Sequence, residues 1–173
     1  ALSHENVWSV YQDENGDIWV GTDNGLNKYS INTDTITHYL VNPDKKAVGG
    51  KQTVSYILPN KGDSNLLWLS TRAGLFQFDK RSGEITEPYL NIDAKNTIKD
   101  NWFYGIHVLD DQTLLTIHPE GFLQYNSQSG SITPLEGLSS KFDVDLASGF
   151  LGQLPDHPNS ILLGMSGHLY LYD

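Results

Sequence analysis

The chain has 173 residues, of which 38% are hydrophobic and 18% charged, and its formal net charge is −10. This length and composition fit one globular domain, and no apolar run approaches the roughly 18 residues that a membrane-spanning helix needs. The negative charge argues against nucleic acids and anionic membrane surfaces as partners, because both repel an acidic protein. With no cysteine, the chain has neither disulfides nor zinc–thiolate sites.

The first 40 residues predict four short antiparallel strands separated by turns. Between the first two strands stands Asn15-Gly16, the strongest hairpin dipeptide. Gly25 ends the next turn, where it is free to adopt a positive φ. The four predicted strands cover residues 7–12, 18–22, 26–31 and 35–40.

This pattern recurs along the chain with a period near 48 residues. Trp19 recurs 49 residues later as Trp68, and Gly74 recurs 47 residues later as Gly121. A fourth copy, over residues 162–173, lies 47 residues beyond the third. Four strands in such a period predict the blades of a β-propeller. The repeated apolar residues are expected to form the core between blades: Trp19, Trp68, Leu26, Leu75 and Phe122.

The predicted fold is therefore all-β, with about four four-stranded blades in a single propeller region over residues 1–173. The expected blades cover about 6–40, 53–90, 101–134 and 142–173. The fourth copy lacks its outermost strand, and four blades are few for a closed ring, so we predict an incomplete arc of a larger, seven-bladed propeller. An open arc exposes two apolar faces, which predicts self-association or further blades from the parent chain.

Residues 13–29 resemble the two-component regulator propeller repeat, which reads approximately D-x-x-G-x-[IL]-W-[IV]-G-T-x-x-G-L-x-x-[YF]. The resemblance is nearly complete over residues 6 to 40. The second copy departs from it in having Ser70 in place of a glycine, while the third and fourth keep mainly Gly121 and Gly164. The resemblance thus spans the chain in outline and is specific over about its first half.

The resemblance implies the periplasmic sensor region of a receptor, tethered through a membrane helix to a histidine kinase, a hybrid kinase or a diguanylate cyclase. In the best-known branch of that family the ligands are oligosaccharides. We therefore expect this chain to bind a small molecule or oligosaccharide and to pass a conformational signal to an output domain outside it. We expect no enzymatic activity in the chain, no cofactor, and membrane contact only through the tether.

The sequence leaves alternatives open for both the location and the function of the chain. The first five residues lack the basic and apolar regions of a signal peptide, so the chain is either cytoplasmic or a piece of a longer exported protein. A protein-interaction scaffold is a second possible function, because fold alone does not separate it from sensing. A third is an enzyme like the streptogramin lyases, although their repeats favour a Trp-Phe-Thr-Glu run where this chain has Trp19-Val20-Gly21-Thr22.

In propellers, ligands usually lie on the face formed by the loops that join second to third strands and one blade to the next. Arg72 there is suited to a carboxylate or sulfate of a ligand, or else to a surface ion pair. Aromatic rings at the starts of first strands are suited to stacking on a sugar, or else to blade packing. The candidate ligand-binding residues are Thr22, Asp23, Asn24, Arg72, His118, Glu120, Trp8, Trp102 and Tyr104.

No metal site and no catalytic residue is predicted. The histidines lie on different blades, without the short spacing of metal ligands. Residues 13–17 share some features with a calcium-binding loop but are more simply explained as a hairpin turn.

Overall fold

A computed structural model of the chain describes residues 1–41, 52–86, 103, 105–118, 121–135, 150–154, 157–165 and 168–172. Within these ranges the regular secondary structure consists of β-strands in four antiparallel sheets. The described residues contain no helix of the length and hydrophobicity needed to cross a membrane. The prediction of an all-β fold built from propeller blades is confirmed.

Each sheet follows chain order, so that every strand pairs with the one before it. The first sheet contains β1 (Val7–Gln12), β2 (Ile18–Thr22), β3 (Gly25–Ser30) and β4 (Thr35–Tyr39). The second contains β5 (Val54–Pro59), β6 (Leu66–Thr71), β7 (Gly74–Asp79) and β8 (Ile85–Thr86). The third contains β9 (Gly105–Val108), β10 (Thr113–His118), β11 (Gly121–Asn126) and β12 (Ile132–Pro134). The fourth has three strands in the described residues: β13 (Phe150–Leu154), β14 (His157–Met165) and β15 (His168–Tyr172).

The described residues divide into two compact units. The first holds the first two sheets and Phe103, and the second holds the other two sheets. In the first unit the Trp19 ring meets the Phe78 ring edge-on, with centroids 5.1 Å apart, between the two sheets. The second unit has its own core, formed by Leu115, Ile117, Phe122, Leu151, Ile161 and Leu163. All five apolar residues predicted for the core are buried: Trp19, Trp68, Leu26, Leu75 and Phe122.

The turn between β1 and β2 explains the repeat's spacing of aspartate and tryptophan. One carboxylate oxygen of Asp13 accepts hydrogen bonds from the amides of Asn15 (2.9 Å) and Asp17 (3.1 Å). The other accepts the indole N–H of Trp19 at 2.9 Å, and the Lys80 ammonium lies 3.6 Å from it. Asp13 therefore fixes both the turn and the core tryptophan, and residues 13–17 form the predicted hairpin turn, with a lysine as counter-charge.

The glycine that the repeat places after tryptophan has a packing role. A Cβ on Gly21 would overlap the carbonyl oxygen of Val54 in the second sheet and lie 2.5 Å from the Ser9 hydroxyl oxygen. Ser70 occupies the same position in the second copy, and its hydroxyl donates a 2.6 Å hydrogen bond to the Phe103 carbonyl. The first position thus needs glycine because another backbone approaches closely, whereas the second has room for a hydroxyl.

Candidate ligand-binding site

Threonines close the turns that join the second and third strands of the first two sheets. The Thr22 hydroxyl donates to the Gly25 carbonyl at 3.1 Å and accepts the Asn24 amide at 3.1 Å. Thr71 donates to the Gly74 carbonyl in the same way, at 2.7 Å. Thr22 is fully buried, so its hydroxyl shapes the turn and holds the two residues after it in place.

Asp23, in the first of these turns, is the centre of a hydrogen-bond network. Its carboxylate accepts the indole N–H of Trp8 at 2.7 Å, the side-chain amide of Asn6 at 2.8 Å and the hydroxyl of Thr53 at 3.2 Å. Nδ1 of His4 lies 3.9 Å away. Because Thr53 immediately precedes β5, this carboxylate joins the first sheet to the start of the second.

The same contacts keep Asp23 ionised. Burial alone raises the pKa of its carboxyl group, but the hydrogen bonds from Asn6, Trp8 and Thr53 outweigh burial and leave this pKa below its ordinary value. The turn therefore carries a negative charge that is directed at donors of the protein itself.

A lowered folded-state pKa makes the contribution of Asp23 to stability depend on pH. The stabilisation is fully present above the unfolded-state pKa of about 4 and is lost as pH falls toward the lower folded-state value. We expect the difference in unfolding free energy between the wild type and Asp23→Asn to be constant above about pH 5 and to shrink below about pH 4. Urea unfolding at pH 7, 5 and 3 measures it, and a difference independent of pH would contradict the assignment.

Trp8 and Arg72 complete a cluster around Asp23, whose other members are His4, Asn6 and Thr53. Trp8 is 52% exposed, although its indole N–H is held by Asp23. The guanidinium carbon of Arg72, from the turn that follows β6, lies 5.9 Å from the centre of the Trp8 ring, within cation–π range. The fold therefore brings Trp8, Asp23 and Arg72 together, although they stand on one strand and in two different turns.

Of the other predicted site residues, Thr22 and Asn24 flank Asp23 in its turn. Asn24 is exposed next to Asp23, whereas His118 is fully buried in the second unit, at the end of β10, where Thr22 and Thr71 stand in the first two sheets. Glu120, Trp102 and Tyr104 lie outside the described residues. Sequence reasoning missed three members of the cluster: His4, Asn6 and Thr53. Asn6 and Thr53 each stand immediately before the first strand of their copy. This shared position in the repeat is the sequence feature from which both could have been predicted.

Comparison with known proteins agrees with the repeat pattern. The family model described as "Two component regulator propeller" matches residues 1–24, which confirms the resemblance found in the first copy. No curated protein sequence shows significant similarity to the chain.

Solved structures share the fold at low sequence identity. The extracellular domains of two proposed hybrid two component systems from B. thetaiotaomicron match with TM-scores of 0.73 and 0.72, at 20% and 19% identity. These matches cover 100% and 99% of this chain and 23% of each solved chain, so the chain spans about a quarter of their length. An auxiliary nutrient binding protein from Bacteroides ovatus matches with a TM-score of 0.68 at 11% identity, over 96% of this chain and 38% of that one.

Proposed function

We propose that this chain, whose first residues match the two component regulator propeller model, is part of the extracytoplasmic ligand-sensing region of a membrane-bound signalling receptor. Its ligand is a small molecule or an oligosaccharide. The chain itself is not an enzyme, and the output kinase or cyclase lies outside it.

The observation that carries the proposal is the arrangement of Trp8, Asp23 and Arg72 within the cluster around Asp23. It lies on the face where the turns between second and third strands meet, and it presents a half-exposed aromatic ring of fixed orientation beside a cation. An exposed aromatic ring with polar neighbours is suited to ring-shaped ligands that have one apolar face. The match of residues 1–24 and the extracellular domains of similar fold support a sensory role.

The cluster also indicates how binding is converted into a signal. Trp8 belongs to the first sheet, Arg72 to the second, and the bond between Thr53 and Asp23 joins them. A ligand that touches both Trp8 and Arg72 favours one arrangement of these two sheets over others. Such a ligand shifts the population of receptor states, by as much as its affinities for those states differ.

A thermal-shift screen of the chain against a library of oligosaccharides tests the proposal. A ligand present at 100 times its dissociation constant stabilises the folded state by about 2.7 kcal/mol, which is a readily measured rise in Tm. We expect at least one saccharide to raise the Tm in the wild type and to lose this effect in Trp8→Ala. Stabilisation by a protein partner, with no response to any saccharide, would instead identify a scaffold.

A second part of the proposal concerns the face of the first sheet that points away from the second. Across the strands, Val10, Asn27 and His38 share this face, and Ile36 lies on the same side as His38. Val10 is 65% and Ile36 37% exposed, while Ala1 and Ser3 form hydrogen bonds to Thr22, Asn27 and His38 on this face. Because the second sheet, which is another copy of the repeat, covers the opposite face, we propose that a further blade covers this one.

We expect the isolated chain to obtain such a blade from a second copy and therefore to self-associate. Val10→Lys should shift the equilibrium toward monomer, because it places a charge in the apolar contact. Asn32→Lys, in an exposed turn, is the matched control and should leave association unchanged. Sedimentation velocity over a concentration series measures both, and a wild type that stays monomeric throughout would refute this part of the proposal.

A further inference from the structure

We infer that two copies of this chain dock head to tail. In this contact the face of the first sheet that points away from the second meets, in the other copy, the face of the fourth sheet that points away from the third. The inference rests on the further blade proposed above for the first sheet, and it names the surface that provides that blade. It follows from the way in which sheets of the repeat pack within each unit, and from two faces whose apolar side chains are exposed.

Within each unit, the two sheets pack through a fixed pair of faces. In the first unit, the face of the first sheet that carries Trp19 packs on the face of the second that carries Leu69. In the second unit, the face of the third sheet that carries Leu115 packs on the face of the fourth that carries Leu163. Trp19 and Leu115 each stand three residues before the end of the second strand of their sheet, whereas Leu69 and Leu163 each stand two residues before it. A Trp19-type face therefore packs on a Leu69-type face in both units.

The outward face of the first sheet is of the Leu69 type. Val20, two residues before the end of β2, lies on this face and is paired with Val10 on β1. In the second sheet, Leu69 is paired in the same way with Ile57. Ile57 is only 5% exposed because it packs against the first sheet, whereas Val10 is 65% exposed. Val10 therefore still exposes the surface that this type of contact buries at Ile57.

The outward face of the fourth sheet is of the Trp19 type. It carries Leu169 and Leu171, which alternate along β15 with the residue paired to Leu163 and so point away from the third sheet. Leu169 is the second residue of its strand, as Leu26 and Phe122 are of theirs. Leu26 and Phe122 are fully buried, whereas Leu169 is 65% and Leu171 48% exposed. This face therefore exposes leucines at positions that are buried in other copies of the repeat.

A second copy of the chain offers each of these faces the type of partner that it has within the units. The fourth sheet of one copy meets the first sheet of the other as a Trp19-type face on a Leu69-type face. Two first sheets would instead bring together two Leu69-type faces, which is not how the sheets pack in either described unit. Removal of the exposed valine and leucine side chains from water drives the contact. Because such a contact is heterologous, the pair keeps one further face of each type and either adds copies or closes on itself.

Two variants that block different faces test the head-to-tail contact. Val10→Lys places a charge on the first sheet, and Leu169→Lys places one on the fourth. We expect each variant alone to associate at least about tenfold more weakly than the wild type, because an ammonium group would be buried in the apolar contact without a partner. Mixed in equal amounts, the two variants should form a dimer, since each keeps the face that the other has lost. Sedimentation velocity of the wild type, of each variant and of the mixture measures these states.

Gln128→Lys, in an exposed turn of the second unit, is the matched control for Leu169→Lys and should associate as the wild type does. Leu171→Lys, on the same face as Leu169, should act as Leu169→Lys does, and circular dichroism checks that each variant is folded.

Undiminished association of both leucine variants, or a mixture of folded variants that stays monomeric, would overturn the inference. If Val10→Lys alone still weakens association in those cases, the further blade over the first sheet stands and only the part of the fourth sheet is wrong. A wild type that stays monomeric overturns the inference together with the expected self-association, while the saccharide screen tests the sensing function separately.

Discussion

Replacing Gly21 with alanine is expected to destabilise the first unit by about 2–3 kcal/mol, the usual range for forcing extra volume into a closely packed site. The added Cβ overlaps the Val54 carbonyl oxygen and lies 2.5 Å from the Ser9 hydroxyl oxygen. Relief requires the first two sheets to move apart, which also loosens the contact between Trp19 and Phe78. Urea unfolding followed by circular dichroism and tryptophan fluorescence measures the loss.

Gly62→Ala provides the matched control for this substitution. The nearest atom to a Cβ at Gly62 is the side-chain amide oxygen of Asn60, at 3.4 Å, which is an ordinary van der Waals distance. We expect this variant to unfold within about 0.5 kcal/mol of the wild type. If Gly21→Ala is equally mild, close backbone approach is not the reason for glycine in the repeat.

Replacing Asp13 with alanine is expected to cost about 3 kcal/mol. The change removes the acceptor of two turn amides and of the Trp19 indole N–H, whose ring is fully buried. A buried donor left without an acceptor costs about 1–3 kcal/mol. The Lys80 side chain, only 7% exposed, also loses one of the two carboxylates near it, which adds to the cost.

Asp110→Ala separates the contribution of the turn hydrogen bonds from that of the buried hydrogen bond to the Trp19 indole. Asp110 accepts the amides of Gln112 and Thr113, both at 2.8 Å, in the corresponding turn of the third sheet, but it is exposed. We expect this variant to cost about 1 kcal/mol, because its hydrogen bonds to these two amides are exposed to solvent. Equal losses for Asp13→Ala and Asp110→Ala in urea unfolding would show that the indole bond contributes nothing measurable.

The effect of each substitution on function differs from its effect on stability. Gly21 and Asp13 lie in the packing between and within the sheets, so their variants should lose stability without changing which ligand is preferred. Trp8→Ala should instead lose the response to saccharides, because the exposed Trp8 ring is the proposed contact surface. Thermal unfolding and ligand preference, measured on the same variants, therefore distinguish the scaffold of the repeat from its site.

Local sequence determined most of the fold. Asn15-Gly16 and Gly25 stand at turns where φ is positive at each glycine, so the hairpins follow from backbone sterics alone. The recurrence of Trp19 as Trp68 identified the buried positions, because a repeat that packs against its own copies must keep the same apolar residues at the same places. The resemblance to the regulator propeller followed from the same residues.

The site followed only partly from the sequence. Trp8, Asp23 and Arg72 were predicted individually, from the loops and strand starts on which they stand. The sequence does not show that these three residues meet. Arg72 follows Trp8 by more than one repeat, and the distance between them depends on how two sheets pack. Asn6 and Thr53 carry no motif, and only their bonds to Asp23 show that they belong to the cluster.

The chain by itself thus determined its strands, its turns and its repeating core, since each depends on the conformational preferences and hydrophobic spacing of neighbouring residues. Tertiary structure alone decided that glycine is required at Gly21 but not at Ser70, because the nearest atoms belong to a different sheet or segment in each case. It also decided that Thr22 and His118 are buried while Trp8 is exposed, although all three come from predicted ligand-binding positions. Burial depends on what packs against a residue, and that packing partner is distant in the chain.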